Sequence, residues 1–305
     1  MNQTWLKCYP MNQDQWLYWR KNGIGSSDAP AILGTSPWTT PFQKWEEKVF
    51  GKQETKVNPS MQRGKDLEEP ARIQFEKLMN TSVFPMNVEN KEYSWMRASL
   101  DGMAPCGKIM VEIKCPNKDD HLVAVNKKVP EKYYSQCQHQ LAVTGLSGMY
   151  YFSFDGSNGV VVEVARDESF ITNELIPKEK EFWECVMIQE PPELTERDFC
   201  NMEGNSEWME TVKKWKETKK TIKELDHHEQ TYREALIALS KNKNAKGNGL
   251  SISKSIVRGQ VNYLKAFYDY IENMRYQYPD IIFNDISFDP YRKNSFTKWI
   301  VRDMD

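Results

Sequence analysis

The chain has little that would announce a membrane, a disulfide scaffold or a zinc centre. No run approaches the roughly 20 apolar residues needed to span a bilayer, and the stretch from Met1 to Cys8 lacks the apolar core of a secretory leader. An intracellular, cytoplasmic protein is the expectation. Six cysteines, at 8, 106, 115, 137, 185 and 200, form no C-x-x-C pair and no metal-ligand spacing, which fits reduced thiols. Only four histidines are present, none in an H-E-x-x-H pattern, so a zinc hydrolase is not indicated. Neither sign of charge is in excess: 41 Lys and Arg against 43 Asp and Glu give a net −2. Contact with a polyanion must therefore rest on local basic patches. A chain of 305 residues can hold one large domain, or one domain with an appendage.

What is present is concentrated in residues 99–116. Ser99 to Gly102 closes one strand, Pro105 and Gly107 supply turn chemistry, and Lys108 to Lys114 reads as a second strand. Alternation along that strand puts Ile109, Val111 and Ile113 on one face and Met110, Glu112 and Lys114 on the other. The apolar set takes the core, so Glu112 and Lys114 are expected on an accessible face. If the hairpin brings Asp101 beside them, two carboxylates and one ammonium converge at the end of a sheet. Such a set suits phosphodiester hydrolysis. Carboxylates hold Mg²⁺ or Mn²⁺, one ion or two, which polarise a phosphate and acidify a bound water. Lys114 would offset charge developing on the phosphate. The same E-x-K spacing is also that of a surface ion pair beside an ordinary turn.

Two further stretches bear on the choice. Residues 13–33 read as a short helix ending near Asn22-Gly23, then a second helix entered through Gly25, Ser26 and Ser27 and closed by Gly34. Ser26 or Ser27 is the expected N-cap. With Arg20 just upstream the corner suits a phosphate, or is simply a capped helix. A longer helix over 61–78 buries Leu67, Ala71, Phe75 and Leu78 and leaves Glu68 beside that stripe, able to line a cleft. Over 131–144, Tyr134, Gln138 and Leu141 share a helical face, which would point Gln138 into the cleft with the carboxylates. Phe42, Trp45 and Val49 follow Pro41 at helical spacing and read as core. Residues 83–93 read as extended, 117–129 as a polar connection, 149–154 and 159–165 as a hairpin about Asp155-Gly156, and 171–190 as a helix. Alternating helices and strands followed by a meander give an α/β fold, a central mixed sheet flanked by helices. Composition shifts near residue 203. A long charged helix follows, whose lysines are a solvated face or a DNA-flanking one. Residues 242–249 read as a flexible break. A strand over 250–257, a helix over 261–274 and a strand near 297–301 make a small α+β appendage. The expected organisation is 1–200 and 201–305.

Taken together, the chain resembles the YqaJ-type viral recombinases and the lambda-phage exonuclease, within the PD-(D/E)XK nucleases. The resemblance spans roughly residues 15–190. It rests on five motifs in order: Gly23 to Asp28 with Ile32 to Pro37, Arg63 to Glu68, Ser99 to Gly102, Val111 to Pro116, and Tyr134 to Gly145. It implies a restriction-endonuclease-like core. It also implies metal ligation by Asp101, Glu112 and the Ile113 carbonyl with Glu68 near the metal, Lys114 as catalytic lysine and Gln138 as active-site glutamine. Arg20 and Ser27 would grip a DNA 5′-phosphate. Leu100 stands where the family usually has proline, which touches no ligand.

The implied activity is Mg²⁺-dependent resection of linear duplex DNA from the 5′ end, leaving a 3′ single strand for an annealing protein. The setting would be a phage- or prophage-encoded protein in a bacterial cytoplasm. A ring-shaped homo-trimer is implied too, though no residue itself points to one. Two other readings stand beside this one. A structure-specific or restriction-like endonuclease would use the same three residues. A DNA-end-binding protein on an inactive scaffold would have no need of them. A helicase-linked nuclease with an iron–sulfur cysteine quartet is disfavoured by the scattered cysteines.

Overall fold

The computed structural model describes residues 5–8, 11–51 and 59–254, with isolated positions between 265 and 277. It divides into two compact units, Met1–Asn201 and Met202–Asp305.

The first unit is built on one mixed sheet. Its strands are β1 (Trp5–Lys7), β2 (Ile24–Gly25), β3 (Phe84–Asn90), β4 (Met96–Met103), β5 (Met110–Lys114), β6 (Gly148–Phe154) and β7 (Gly159–Ala165). The order is β1-β3-β4-β5-β6-β7, with β2 pairing β4 off that path. The β5–β6 and β2–β4 pairs are parallel and the others antiparallel. The parallel β5–β6 pair needs a crossover, which α5 (Lys118–Val125) and α6 (Glu131–Thr144) supply. The remaining helices are α1 (Gln13–Lys21), α2 (Ala29–Ile32), α3 (Pro41–Phe50), α4 (Pro59–Met79), α7 (Glu168–Phe170) and α8 (Ile176–Ile188).

Each face of the sheet carries its own core. Met110 of β5 packs with Met96, Ala98, Leu100, Cys137 and Leu141 on the α6 side. Val111 and Ile113 pack with Ala71, Phe75, Phe152 and Phe154 on the α4 side. A third cluster joins Ile24, Ile32, Trp45 and Phe182, so the aromatic stripe of α3 is core, as its spacing predicts. The expected Glu112–Lys114 face is therefore not open. With α6 lying over it, Glu112 is only 1% exposed. A central strand is covered on both sides, and alternation alone cannot say which face meets solvent.

Two other expectations change. Residues 117–129 are not merely a connection: Asn117 accepts the Asp120 N–H and caps α5. The helix expected over 61–78 begins at Pro59 and runs to Met79, with Pro70 inside it.

In the second unit α9 (Ser206–Leu239) runs 34 residues with none buried. Residues 242–249 do not form a flexible break. Ala245–Gly247 (β8) pairs antiparallel with Leu250–Ile252 (β9) around Asn248-Gly249, both at positive φ. Asn-Gly is a strong two-residue hairpin signal, since both positions tolerate the left-handed region. Of the helix expected over 261–274 only isolated residues are described, and the strand near 297–301 lies outside the described residues. Among the described residues no helix is long and apolar enough to cross a membrane.

Candidate active site

The site forms where β4 and β5 run side by side under α6. Gly102 faces Val111 in the antiparallel register, which brings the preceding Asp101 alongside Glu112 and Ile113. Asp101 Oδ2 accepts the Ile113 N–H at 2.7 Å, locking one carboxylate to the strand that carries the other. Lys114, two residues beyond Glu112 and so on its face, places Nζ 2.5 Å from Glu112 Oε1. The sequence-derived trio of Asp101, Glu112 and Lys114 is thus brought together.

The charges within it are mutually dependent. Burial, then the neighbouring Glu112, push the Asp101 carboxyl well above the usual carboxylate range; Lys114 pulls the other way. Burial would lower the Lys114 pKa, but Glu112 and Asp101 more than offset it and hold the ammonium charged. Its ammonium also lies 5.4 Å from the Tyr133 ring centre.

Glu112 is held by two glutamines of α6. Gln136 Nε2 donates to Oε1 and Gln140 Nε2 to Oε2, each at 2.5 Å. These residues are one helical turn apart and share a face. Gln138, expected here, points elsewhere: its Nε2 donates to the Ala165 carbonyl at 2.9 Å and its Oε1 accepts the Asp167 N–H at 2.9 Å. Gln138 therefore fastens the end of β7. The expectation took its face from Tyr134 and Leu141, yet every residue of α6 from Ser135 to Thr144 is buried. An apolar stripe identifies the inward face only when the opposite face is wet. The i, i+4 spacing of Gln136 and Gln140 was the available signal.

Glu68 does not join the trio at contact distance. It is exposed on α4 and acts on Asp101 only as a further, smaller like charge. Among the described residues no three His, Cys, Asp or Glu side chains group as a metal cluster. A cation here would draw on Asp101, Glu112 and the main-chain carbonyl of Ile113. The donor chemistry fits a hard divalent ion, because the two crowded carboxylates repel each other and a cation between them would relieve that repulsion.

A second cluster lies at the entry to α2, where residues 26–28 form a turn of 3₁₀ helix. Arg20 Nη2 donates to Ser27 Oγ at 2.6 Å, and lies 3.2 Å from Asp28 Oδ1. Neither serine is the cap. Asp28 Oδ2 accepts the Gly25 N–H at 3.0 Å, while Lys48 and Lys44 approach Asp28 at 2.8 and 3.4 Å. Burial disfavours charge on Asp28, but Arg20, Lys48 and Lys44 together hold its carboxyl far below the usual range. Burial likewise opposes charge on both lysines. Asp28 and Glu47 outweigh it at Lys44, whose pKa rises, and Asp28 fails to at Lys48, whose pKa falls. The corner holds three cationic side chains around one carboxylate, with Glu47 paired to Lys44. Sequence reasoning missed Asp28, Lys44 and Lys48. Lys44 and Lys48 sit one turn apart on α3 beside the buried Trp45, which was the usable hint. A Cβ at Gly25 would fall 1.2 Å from the Arg20 guanidinium, so any other residue there would push Arg20 out of its present position against Asp28. Ser26, buried in the same turn, accepts a long 3.5 Å contact from Gln140 Nε2, so α6 touches both clusters.

Comparison with known proteins places this architecture. Residues 15–147 match the YqaJ-like viral recombinase domain. The chain is 31% identical over 182 residues to the uncharacterized protein YqaJ of Bacillus subtilis (strain 168), covering 57% of this chain and 56% of that relative's length. Among solved structures, the alkaline exonuclease of Laribacter hongkongensis superposes with a TM-score of 0.51 at 23% identity, over 58% of this chain and 94% of that one. The same exonuclease in complex with dAMP gives 0.52, with equal identity and coverage. These likenesses extend to the mixed sheet and its flanking helices. Asp101, Glu112, Lys114 and the residues of the Arg20 corner all lie within the segment, residues 15–147, that is similar to the YqaJ-like viral recombinase domain, and the chain spans about half the length of the curated relative it matches.

Proposed function

We propose that the first unit is a metal-dependent deoxyribonuclease that resects linear duplex DNA from the 5′ end. The observation that carries this reading is the Asp101–Glu112–Lys114 set, gathered around the buried Glu112 and joined through Gln140 and Ser26 to a cationic corner suited to a terminal phosphate. The fold shared with an alkaline exonuclease that binds dAMP supports it. In this reading Asp101, Glu112 and the Ile113 carbonyl hold Mg²⁺ or Mn²⁺. Such an ion supplies electrophilic chemistry, polarising a phosphate oxygen and making water nucleophilic at neutral pH. Water adds to phosphorus, the bond to the 3′ oxygen breaks, and the released nucleotide keeps the 5′-phosphate.

Lys114 works as a fixed cation beside the phosphate, because its carboxylate neighbours keep it protonated. Gln136 and Gln140 hold the Glu112 carboxylate in one orientation. Arg20 and Ser27 give a terminal phosphate charge-assisted contacts that an internal phosphodiester does not receive. The 3′ single strand left behind would pass to an annealing protein.

The test is digestion of linear duplex labelled at either 5′ or 3′ end with Mg²⁺, beside covalently closed plasmid. Early release of the 5′ label as mononucleotide with intact circles is expected. Nicked circles would make the enzyme an endonuclease, and no cleavage would leave a binding protein. In the same assay Arg20→Ala should slow digestion of 5′-phosphate ends and spare 5′-hydroxyl ends; equal loss on both would remove the phosphate pocket. The two glutamine sites separate cleanly. Gln136→Ala should lower the rate by roughly 10- to 100-fold, as loss of a ligand-orienting contact does. Gln138→Ala should instead lower the unfolding free energy read from urea denaturation, by about 1–3 kcal/mol, with the rate per folded molecule preserved.

A further inference from the structure

Between α2 and α3 the chain exposes Trp38, 64% accessible. A single exposed apolar side chain is ordinary, but this one is presented on a fastened loop. Ser36 Oγ accepts the Trp38 and Thr39 N–H groups at 3.2 Å each. The Ser36 carbonyl accepts from Arg197 at 2.8 Å, and Thr40 Oγ1 donates to Asp198 at 2.5 Å. Little conformational freedom remains to be lost when a ligand meets the ring.

The ring is also wired to the reaction centre. Lys132 Nζ lies 5.0 Å from the Trp38 ring centre and 5.4 Å from that of Tyr133, and Asp120 pins it at 2.5 Å. Tyr133 in turn lies under Lys114 and stacks on Tyr151, with ring centres 6.1 Å apart. Aromatic faces therefore alternate with ammonium groups from the surface to the catalytic lysine. Along the chain the same loop joins the turn that carries Ser27 and Asp28 to the helix that carries Lys44 and Lys48. Cations interleaved with rigid aromatic faces are the chemistry that holds a single nucleic-acid strand: charge for phosphates and π-faces for bases.

We infer that Trp38 is a stacking platform for a nucleobase of the DNA strand being cut, a few nucleotides from the phosphate that Lys114 serves. Resting on the nuclease reading, this adds a base-contacting residue to it. Lys132, beside the ring, meets the adjoining backbone phosphate. Stacking accepts any base, so the contact orders a strand without selecting sequence.

The test uses full-length protein with Ca²⁺ in place of Mg²⁺, and linear duplexes carrying a single 2-aminopurine at successive positions from each end. Wild-type protein should change the 2-aminopurine emission at one or two adjacent positions. Trp38→Ala should abolish that local signal and weaken binding by roughly 10- to 100-fold, while Trp38→Phe keeps most of both. Unchanged thermal midpoints would confirm that both variants fold. An identical signal and affinity in Trp38→Ala, or equal losses in Ala and Phe, would overturn the stacking role. If wild-type protein cuts and binds linear DNA in that case, only this inference falls. If wild-type protein neither binds nor cuts, the nuclease reading falls and takes this one with it.

Discussion

Replacing Glu112 by glutamine is expected to reduce Mg²⁺-dependent cleavage by about 10³-fold or more, with DNA binding largely kept. The substitution preserves size and removes the charge on which four groups converge. Lys114 loses its charged partner at 2.5 Å, and of Gln136 and Gln140, which donate to opposite oxygens of Glu112, one would face an NH2 group in place of an acceptor. A divalent ion loses one of two carboxylate ligands. A second consequence separates metal loss from misfolding. Glu112 is the strongest nearby charge raising the Asp101 pKa, so the variant lets Asp101 ionise more readily. Divalent ions should stabilise wild-type protein against thermal unfolding and stabilise Glu112→Gln much less. Titration by calorimetry would read this without any turnover. Wild-type cleavage by the variant would remove Glu112 from the reaction.

Asp28→Asn is expected to be the most destabilising single change at the cationic corner, at about 3–5 kcal/mol near neutral pH. Asp28 is 2% exposed and is the shared ion-pair partner of Arg20, Lys44 and Lys48. An amide would leave three cations crowded together, two of them in a nearly dry environment. The pH dependence follows from the direction of the shift. The folded carboxyl titrates far below its unfolded value of 3.8, so its stabilisation is present above that value. It is lost as pH falls and the unfolded chain takes up the proton first. Urea midpoints of wild type and variant should differ widely at pH 7, and the difference should narrow progressively as pH falls below about 4. A constant difference across that range would assign the effect to packing rather than charge.

How much of this was legible depended on whether a residue's neighbours lay in the same motif. The β4–β5 hairpin was readable because turn residues and period-two alternation fixed which side chains point together, and register did the rest. What alternation could not supply was the helix that covers the far face, so Glu112 came out exposed on paper and buried in the fold. Gln138 failed for the complementary reason. Periodicity assumes one dry side and one wet side, and α6 has no wet side. Arg20 and Ser27 were found from a helix start, whereas their true organiser, Asp28, draws its partners from α3, across a loop no local rule spans. The Asn248-Gly249 hairpin needed only turn chemistry and was overlooked in a stretch dominated by lysine and asparagine.

Helix α6 is buried over ten consecutive residues, six of them polar. Gln136 and Gln140 serve Glu112, Gln138 ties down β7, and His139 bridges Glu179 at 2.7 Å and the Arg97 carbonyl at 3.0 Å. Hydrophobic cores forgive exchange among residues of similar volume, but a helix specified by hydrogen-bond geometry does not. Inserting or deleting one residue would turn the following side chains by about 100° and hand each partner the wrong donor. Substitution tolerance along this chain should therefore be lowest in a segment that a hydropathy plot would class as surface. A library designer seeking room for new contacts would find it in α9, where no residue is buried.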